Sequence, residues 1–390
     1  MAAKRAIGAD LAGASRLAIE ALTGVTELVE AVHMNVLNKA IGTGVVRPVA
    51  GVTSLVYRSV KGVTRLVGGS LDAVLARLVP DLGEPAAWAG RDALLAALNG
   101  VLGDRLAASG NPLAIPMRLR QGGKPLALHA LAAPSGRILV LAHGLCMNDL
   151  QWQRDGVDHG AMLAAEGGYT SVYLHYNSGR HISVNGREFA QQLQALVDGW
   201  PVPVAELVIL GHSMGGLLAR SACHYAAQAK QGWLGHLSKM VFLGTPHLGA
   251  PLERGGNWVH LFTDLSAYSA PFSRLAKIRS AGITDLRHGS VLDDDWDGQD
   301  RFAHGTPLPQ HVPLPEGVRC YALAATIGKR EGDLADRLLA GDGLVPVSSG
   351  LAESDDPARS LAFERHVVYQ TNHMQLLSSP QVSERLLAWL

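Results

Sequence analysis

The sequence predicts an α/β domain, a mostly parallel sheet covered by helices on both faces, with a helical cap and an N-terminal helical extension. From about residue 116, short buried-looking apolar runs recur between segments of helical spacing, the alternation that builds a parallel sheet. Before about residue 110 the apolar residues keep a helical period instead. With 390 residues, 47% of them hydrophobic and 17% charged, the chain is long enough for one large domain with an addition, or for two domains.

The N-terminal region, residues 1–110, contains two long apolar stripes. Ala18, Leu22, Val25, Val29, Val32 and Val36 step by four and three, and Val56, Val60, Val63, Val67, Leu71, Val74 and Leu78 do nearly the same. "GTGVVRPVAG" connects them, and a third helical segment runs roughly from Ala86 to Ala108, closed by "SGNP". Basic residues outnumber acidic ones here. One reading is a helical hairpin packed on the following domain or on another subunit, a homo-oligomer in that case. The other is an amphipathic basic surface in peripheral contact with a membrane or lipid body.

The second region, 111–390, supplies the α/β pattern. "MRLRQGGKPLALHAL" forms two strands around a Gly-Gly turn. "RILVLAHGL" and "YTSVYLHYNSG" are strands, "REFAQQLQALVDGW" a helix, "ELVILGHS" a strand and "MGGLLARSACHYAAQA" a helix. "KMVFLGTP", "GVRCYALAAT" and "RHVVYQT" are further strands, and "SPQVSERLLAWL" closes with a helix. Residues 250–310 break the alternation, and an excursion that long inside an α/β domain is expected to be a cap or lid over a site.

Composition excludes several classes. Lys+Arg and Asp+Glu are equal at 34 each, so bulk charge offers nothing to a nucleic acid. The three cysteines, Cys146, Cys223 and Cys320, are far apart and odd in number, which argues for free thiols in a reducing, cytoplasmic setting. Asp10, Arg16 and Glu20 interrupt the first apolar stretch, so a secretory leader is not expected. No run of about 18 uncharged apolar residues suggests a membrane span. The acidic clusters Asp293-Asp294-Asp295 and Asp355-Asp356 lack ligand spacing, so no metal is expected. Nor does any phosphate-cradling loop suggest a nucleotide or other cofactor.

Gly211-His212-Ser213-Met214-Gly215 is a G-x-S-x-G pattern with a strand before it and a helix after it. The context gives the pattern its weight: a sharp strand-to-helix turn projects one side chain above the sheet, and bulk at either flank would clash. A serine needs a base and the base an orienting acid, in the chain order Ser, acid, His. Asp342 lies in a tight Gly-Asp-Gly loop after a late strand, and His373 follows the last strand and precedes the last helix. Asp333, Asp336 and Asp355 lie in more polar surroundings, Glu364 and His366 within or beside the last strand, and His311 out of order. The oxyanion donors expected are the backbone N–H groups of Met214, after the serine, and Leu145, in the loop after the first central strand. His143 is expected to brace that loop.

"AHGL", "GHSMGG", "FLGTPHLGAP", "GDGLVP" and "NHMQLL", in this order, resemble the α/β-hydrolase lipases and esterases. "GTPHLGAP" is similar to bacterial triacylglycerol lipases and to the inositol-deacylase-like (PGAP1-like) branch. The resemblance covers about residues 116–390 and implies an α/β-hydrolase fold with Ser213 as nucleophile, Asp342 as acid, His373 as base, and Leu145 and Met214 as oxyanion donors. It also puts His247 at the rim of the site. The apolar cap residues, Trp258, Phe262 and Tyr268 among them, are expected to bind an apolar acyl chain. The expectation is a carboxylesterase or lipase acting on a small-molecule ester or lipid. An acyltransferase or thioesterase with the same triad, and a lipid- or membrane-surface-binding protein, are the alternatives.

Overall fold

The computed structural model describes residues 12, 13, 16, 91–250, 280–298, 308–330 and 341–390. Both long N-terminal stripes and the cap residues Trp258, Phe262 and Tyr268 lie outside the described residues.

Eight strands form one sheet: β1 (Arg118–Gln121), β2 (Lys124–Pro125), β3 (Arg137–Ala142), β4 (Thr170–His175), β5 (Glu206–His212), β6 (Leu237–Leu243), β7 (Arg319–Thr326) and β8 (Glu364–Tyr369). Their spatial order is β8-β7-β6-β5-β3-β4-β1-β2. All neighbours from β8 to β4 pair in parallel, and β1 is antiparallel to both β4 and β2. The central strands are continuous apolar runs buried on both faces, as a parallel sheet requires when helices cover it on either side. Ile138 through Ala142 and Leu207 through Leu210 are nearly inaccessible. Gly122 and Gly123, both at positive φ, make the tight turn between β1 and β2.

Among the described residues, the α-helices of eight or more residues are α1 (Arg91–Ala108), α2 (His159–Gly167), α3 (Ile182–Asp198), α4 (Met214–Gln228), α5 (Ala281–His288) and α6 (Pro380–Trp389). α2 is missing from the sequence expectations, although its signals are local. The Asp158 carboxylate accepts from the Ala161 N–H at 3.0 Å to cap it, and Gly168 ends it at φ 68°. α3 and α4 cross closely because Gly186 has no side chain: a Cβ there would stand 2.2 Å from the Ser221 hydroxyl.

The chain divides into two compact units, Met1–Arg91 with Leu106–Ala114, and Asp92–Arg105 with Ile115–Leu390. The middle of α1 falls in the larger unit, where Ala96, Ala97, Val101 and Leu102 are buried. A Cβ on Gly100 would lie 2.1 Å from the Cys146 sulfur, and one on Gly103 would lie 1.8 Å from the Asn177 amide oxygen. These glycines let the helix backbone approach the loops after β3 and β4.

The chain runs from β3 to β4 on one side, then crosses back to β5 on the other. Connections therefore diverge at the carboxyl ends of β3 and β5, where open α/β sheets leave a crevice. Register pairs Ala142 with Gly211, so the segments that follow, His143-Gly144-Leu145 and His212-Ser213, leave the sheet side by side.

Candidate active site

Ser213 occupies the single position between β5 and α4, at φ 54° and ψ −122°. A non-glycine residue at positive φ costs about 1–3 kcal/mol and persists only where its surroundings enforce it. Three glycines and two hydrogen bonds enforce it here. Cβ atoms on Gly211, Gly215 and Gly216 would stand 2.6 Å from the Gly216 Cα, 2.1 Å from the Ala142 carbonyl oxygen and 2.0 Å from the Thr245 hydroxyl. The Ser213 N–H donates to the Leu243 carbonyl at 2.8 Å, and its own carbonyl accepts from Gly216 at 3.1 Å. The G-x-S-x-G pattern does not include Gly216, and the doublet Gly215-Gly216 is its only signal in the sequence.

Asp342 sits between Gly341 at φ 66° and Gly343 at φ 96°. Its Oδ1 accepts from the backbone N–H groups of Leu344 at 2.9 Å and Val345 at 2.8 Å. Oδ2 accepts from Nδ1 of His373 at 2.7 Å, and the His373 N–H donates to the Asp342 carbonyl at 3.0 Å. One carboxylate oxygen thus anchors the acid to its own turn while the other sets the imidazole. Gly244, at φ 56° after β6, passes close by, and a Cβ there would lie 3.2 Å from both Asp342 Oδ2 and His373 Cε1.

Ser213 and His373 line one narrow pocket. Gly144, Leu145 and His212 share its polar end, and Met147, Ala250, Leu286, Leu344, Val345 and Met374 make an apolar wall. The loop after β3 approaches the serine closely, since a Cβ on Gly144 would be 3.1 Å from the Ser213 Cβ. Leu145 and Met214 are buried, and among the described residues neither backbone N–H has an acceptor. His143 stacks on Tyr176 with ring centroids 4.4 Å apart, and its Nδ1–H donates to the Gly144 carbonyl at 2.9 Å. The Tyr176 hydroxyl donates to the His143 carbonyl at 2.9 Å, and the Ser178 hydroxyl accepts from the Cys146 N–H at 3.0 Å. Burial pushes the His143 pKa down to about 3, so this brace is a neutral imidazole. Beyond the loop, Arg120 pairs with the buried Asp149 at 2.7 Å.

His247 does not line this pocket. It is buried against Phe242 and Phe363, with centroids 4.9 Å away in each case, and its Nδ1 lies 3.4 Å from the Arg220 guanidinium. Burial, then the Arg220 charge, hold its pKa well below the usual value. Chemically, the site combines a serine hydroxyl on a helix N-terminus, an imidazole whose far nitrogen is fixed by a carboxylate, and two nearby backbone N–H groups, of Leu145 and Met214, without acceptors among the described residues. Such a set can take a proton from the hydroxyl and stabilise an oxyanion. Among the described residues no group of three His, Cys, Asp or Glu side chains could hold a metal ion, and no helix is long and apolar enough to cross a membrane.

Residues 134–311 match the family described as PGAP1-like alpha/beta domain, a span from just before β3 to just before β7. No curated protein sequence matches the chain. Among solved structures the chain is similar to the mature lipase BlEst2 of Bacillus licheniformis, at 16% identity and TM-score 0.41, over 70% of this chain and 98% of that one. It is also similar to the RedJ thioesterase of Streptomyces coelicolor, at 18% identity and TM-score 0.38, over 68% of this chain and 90% of that one. A third likeness is to naproxen esterase of Bacillus subtilis, at 14% identity and TM-score 0.35, over 65% of this chain and 83% of that one.

Proposed function

We propose that the chain is a serine hydrolase of carboxylic esters with apolar acyl chains, a reading supported by its match to the PGAP1-like alpha/beta domain over residues 134–311 and by its mostly parallel sheet. The observation that carries this reading is the 2.7 Å bond from His373 to Asp342 in a pocket shared with the strained Ser213. His373 Nε2 takes the hydroxyl proton as Ser213 Oγ bonds to the ester carbonyl carbon. The Leu145 and Met214 N–H groups receive the oxyanion. Asp342 holds the imidazole in the Nδ1–H tautomer and stabilises the imidazolium that forms. The C–O bond then breaks and the alcohol leaves with the proton from His373. Water, deprotonated by the same nitrogen, attacks the acyl-enzyme, releasing the acid and restoring Ser213.

The apolar wall of Met147, Leu286, Leu344, Val345 and Met374 supports an apolar acyl group. Ser213→Ala tests the reading: turnover of short p-nitrophenyl esters should vanish, and residual activity above a few per cent of wild type would refute the nucleophile. Adding an alcohol acceptor separates hydrolysis from acyl transfer by its product, and a chain-length series separates esterase from lipase. The stripes of residues 1–110 support peripheral lipid contact or packing on a further surface, which vesicle flotation of the full chain separates.

A further inference from the structure

His212, the last residue of β5, is wholly buried and precedes the serine. Its Nε2 lies 3.2 Å from the backbone carbonyl oxygen of His373, 161 residues away in the chain. A carbonyl can only accept, so Nε2 carries the hydrogen and Nδ1 is bare. The two imidazoles stand 4.8 Å apart at 43°, and Trp152 meets His212 edge-on with centroids 6.3 Å apart. On its remaining side the ring faces the loop after β3: a Cβ on Gly144 would be 3.2 Å from Nδ1, which is buried and has no hydrogen-bond partner. Burial, then the neighbouring His373, keep its pKa well below the usual imidazole value, so the ring stays neutral.

The other hydrogen bonds on His373 come from one direction. Its N–H and its Nδ1 both bind Asp342. Ties to the acid alone leave the residue free to tilt about that side, toward or away from Ser213. The His212 bond supplies the opposing tie, from the strand that carries the serine. We propose that His212 is a positioning residue which, by donating Nε2–H to the His373 carbonyl, fixes the distance of the base imidazole from the Ser213 hydroxyl. The inference rests on reading Ser213 and His373 as nucleophile and base.

The test compares His212→Phe, which keeps ring shape without the donor, with His212→Gln, which keeps an N–H donor at similar reach. Each is titrated with a serine-reactive fluorophosphonate and assayed on p-nitrophenyl butyrate. The phenylalanine variant should lose about 10- to 100-fold in kcat per titrated site, the scale of a misplaced catalytic group, with KM little changed. Its rate of labelling should fall in step, and the glutamine variant should recover most of both. A merely structural role would lower the titratable fraction and leave the rate per site intact. The inference is overturned if phenylalanine matches wild type per titrated site, or if glutamine is no better than phenylalanine. Independently of any variant's folding, ¹⁵N spectra of the wild type should show His212 as the Nε2–H tautomer, and the Nδ1–H tautomer would overturn it. Wild type that does not label would remove the nucleophile reading and this inference together. Labelled wild type with an unaffected variant removes the inference alone.

Discussion

Replacing Asp342 by asparagine should disable the base while leaving the loop around it intact. Oδ1 of Asp342 accepts two backbone N–H groups, from Leu344 and Val345, at 2.9 and 2.8 Å, and Oδ2 accepts one from His373 at 2.7 Å. An asparagine amide has one acceptor oxygen and one NH₂ donor, so its orientation is a choice between these sides. Pointing the NH₂ at the two backbone donors would leave both unsatisfied, at about 1–3 kcal/mol each. The oxygen therefore stays with Leu344 and Val345, and the NH₂ faces His373 Nδ1. That nitrogen must then accept, which places the imidazole hydrogen on Nε2, where no proton can be taken from Ser213. The preference of about 2–6 kcal/mol corresponds to a loss of roughly 30- to 20,000-fold in kcat/KM, at about 1.4 kcal/mol per decade. Thermal unfolding should shift little, because the turn keeps its two bonds. The assay is p-nitrophenyl ester hydrolysis at pH 7 with active-site titration. A titrated variant within five-fold of wild type would refute the assignment of Asp342.

Gly215→Ala should cost about 1–3 kcal/mol in stability and at least about 10-fold in kcat, because its Cβ would sit 2.1 Å from the Ala142 carbonyl oxygen and must push the elbow from β3. Denaturant melts and ester kinetics check this, and wild-type values in both would contradict it. Gly100→Val should disturb the loop after β3 from outside the pocket through Cys146, lowering kcat more than it raises KM. Unchanged kinetics would show that α1 does not buttress that loop. Stability should fall as pH drops below about 6.5. His143, His212 and His247 are buried with depressed pKa values, so the unfolded chain takes up protons there that the folded chain refuses. Three such groups cost about 3 kcal/mol between pH 6.5 and 5.5, and the buried Asp285, whose pKa is raised, has the opposite sign. Urea midpoints that hold steady from pH 7.5 to 5.5 would exclude this.

Much of the site was legible because its signals are local. An apolar run ending at Gly211 and a helix starting at Met214 define the turn around Ser213 wherever that segment lies. Gly341 and Gly343 mark the tight loop of Asp342, and strand order alone places His373 after β8. The apolar runs likewise predict the parallel sheet, since burial on both faces leaves an unbroken apolar stretch in the chain. Other features have no local signature. Nothing near His212 tells that it reaches the carbonyl of His373, or near Gly100 that its missing side chain admits Cys146. His247 belongs to a conspicuous motif, yet its partners Phe242, Phe363 and Arg220 come from three different segments.

The sequence by itself determined the candidate site residues, the order in which they arrive and the turns that hold them, because turn geometry and strand burial are set within a few neighbouring residues. Only the tertiary structure decided which oxygen of Asp342 meets the His373 imidazole, that the middle of α1 packs in the larger unit, and that His212 reaches the His373 carbonyl. Those are meetings of segments tens to hundreds of residues apart, selected by which side chains and which missing side chains come together when the sheet closes its core.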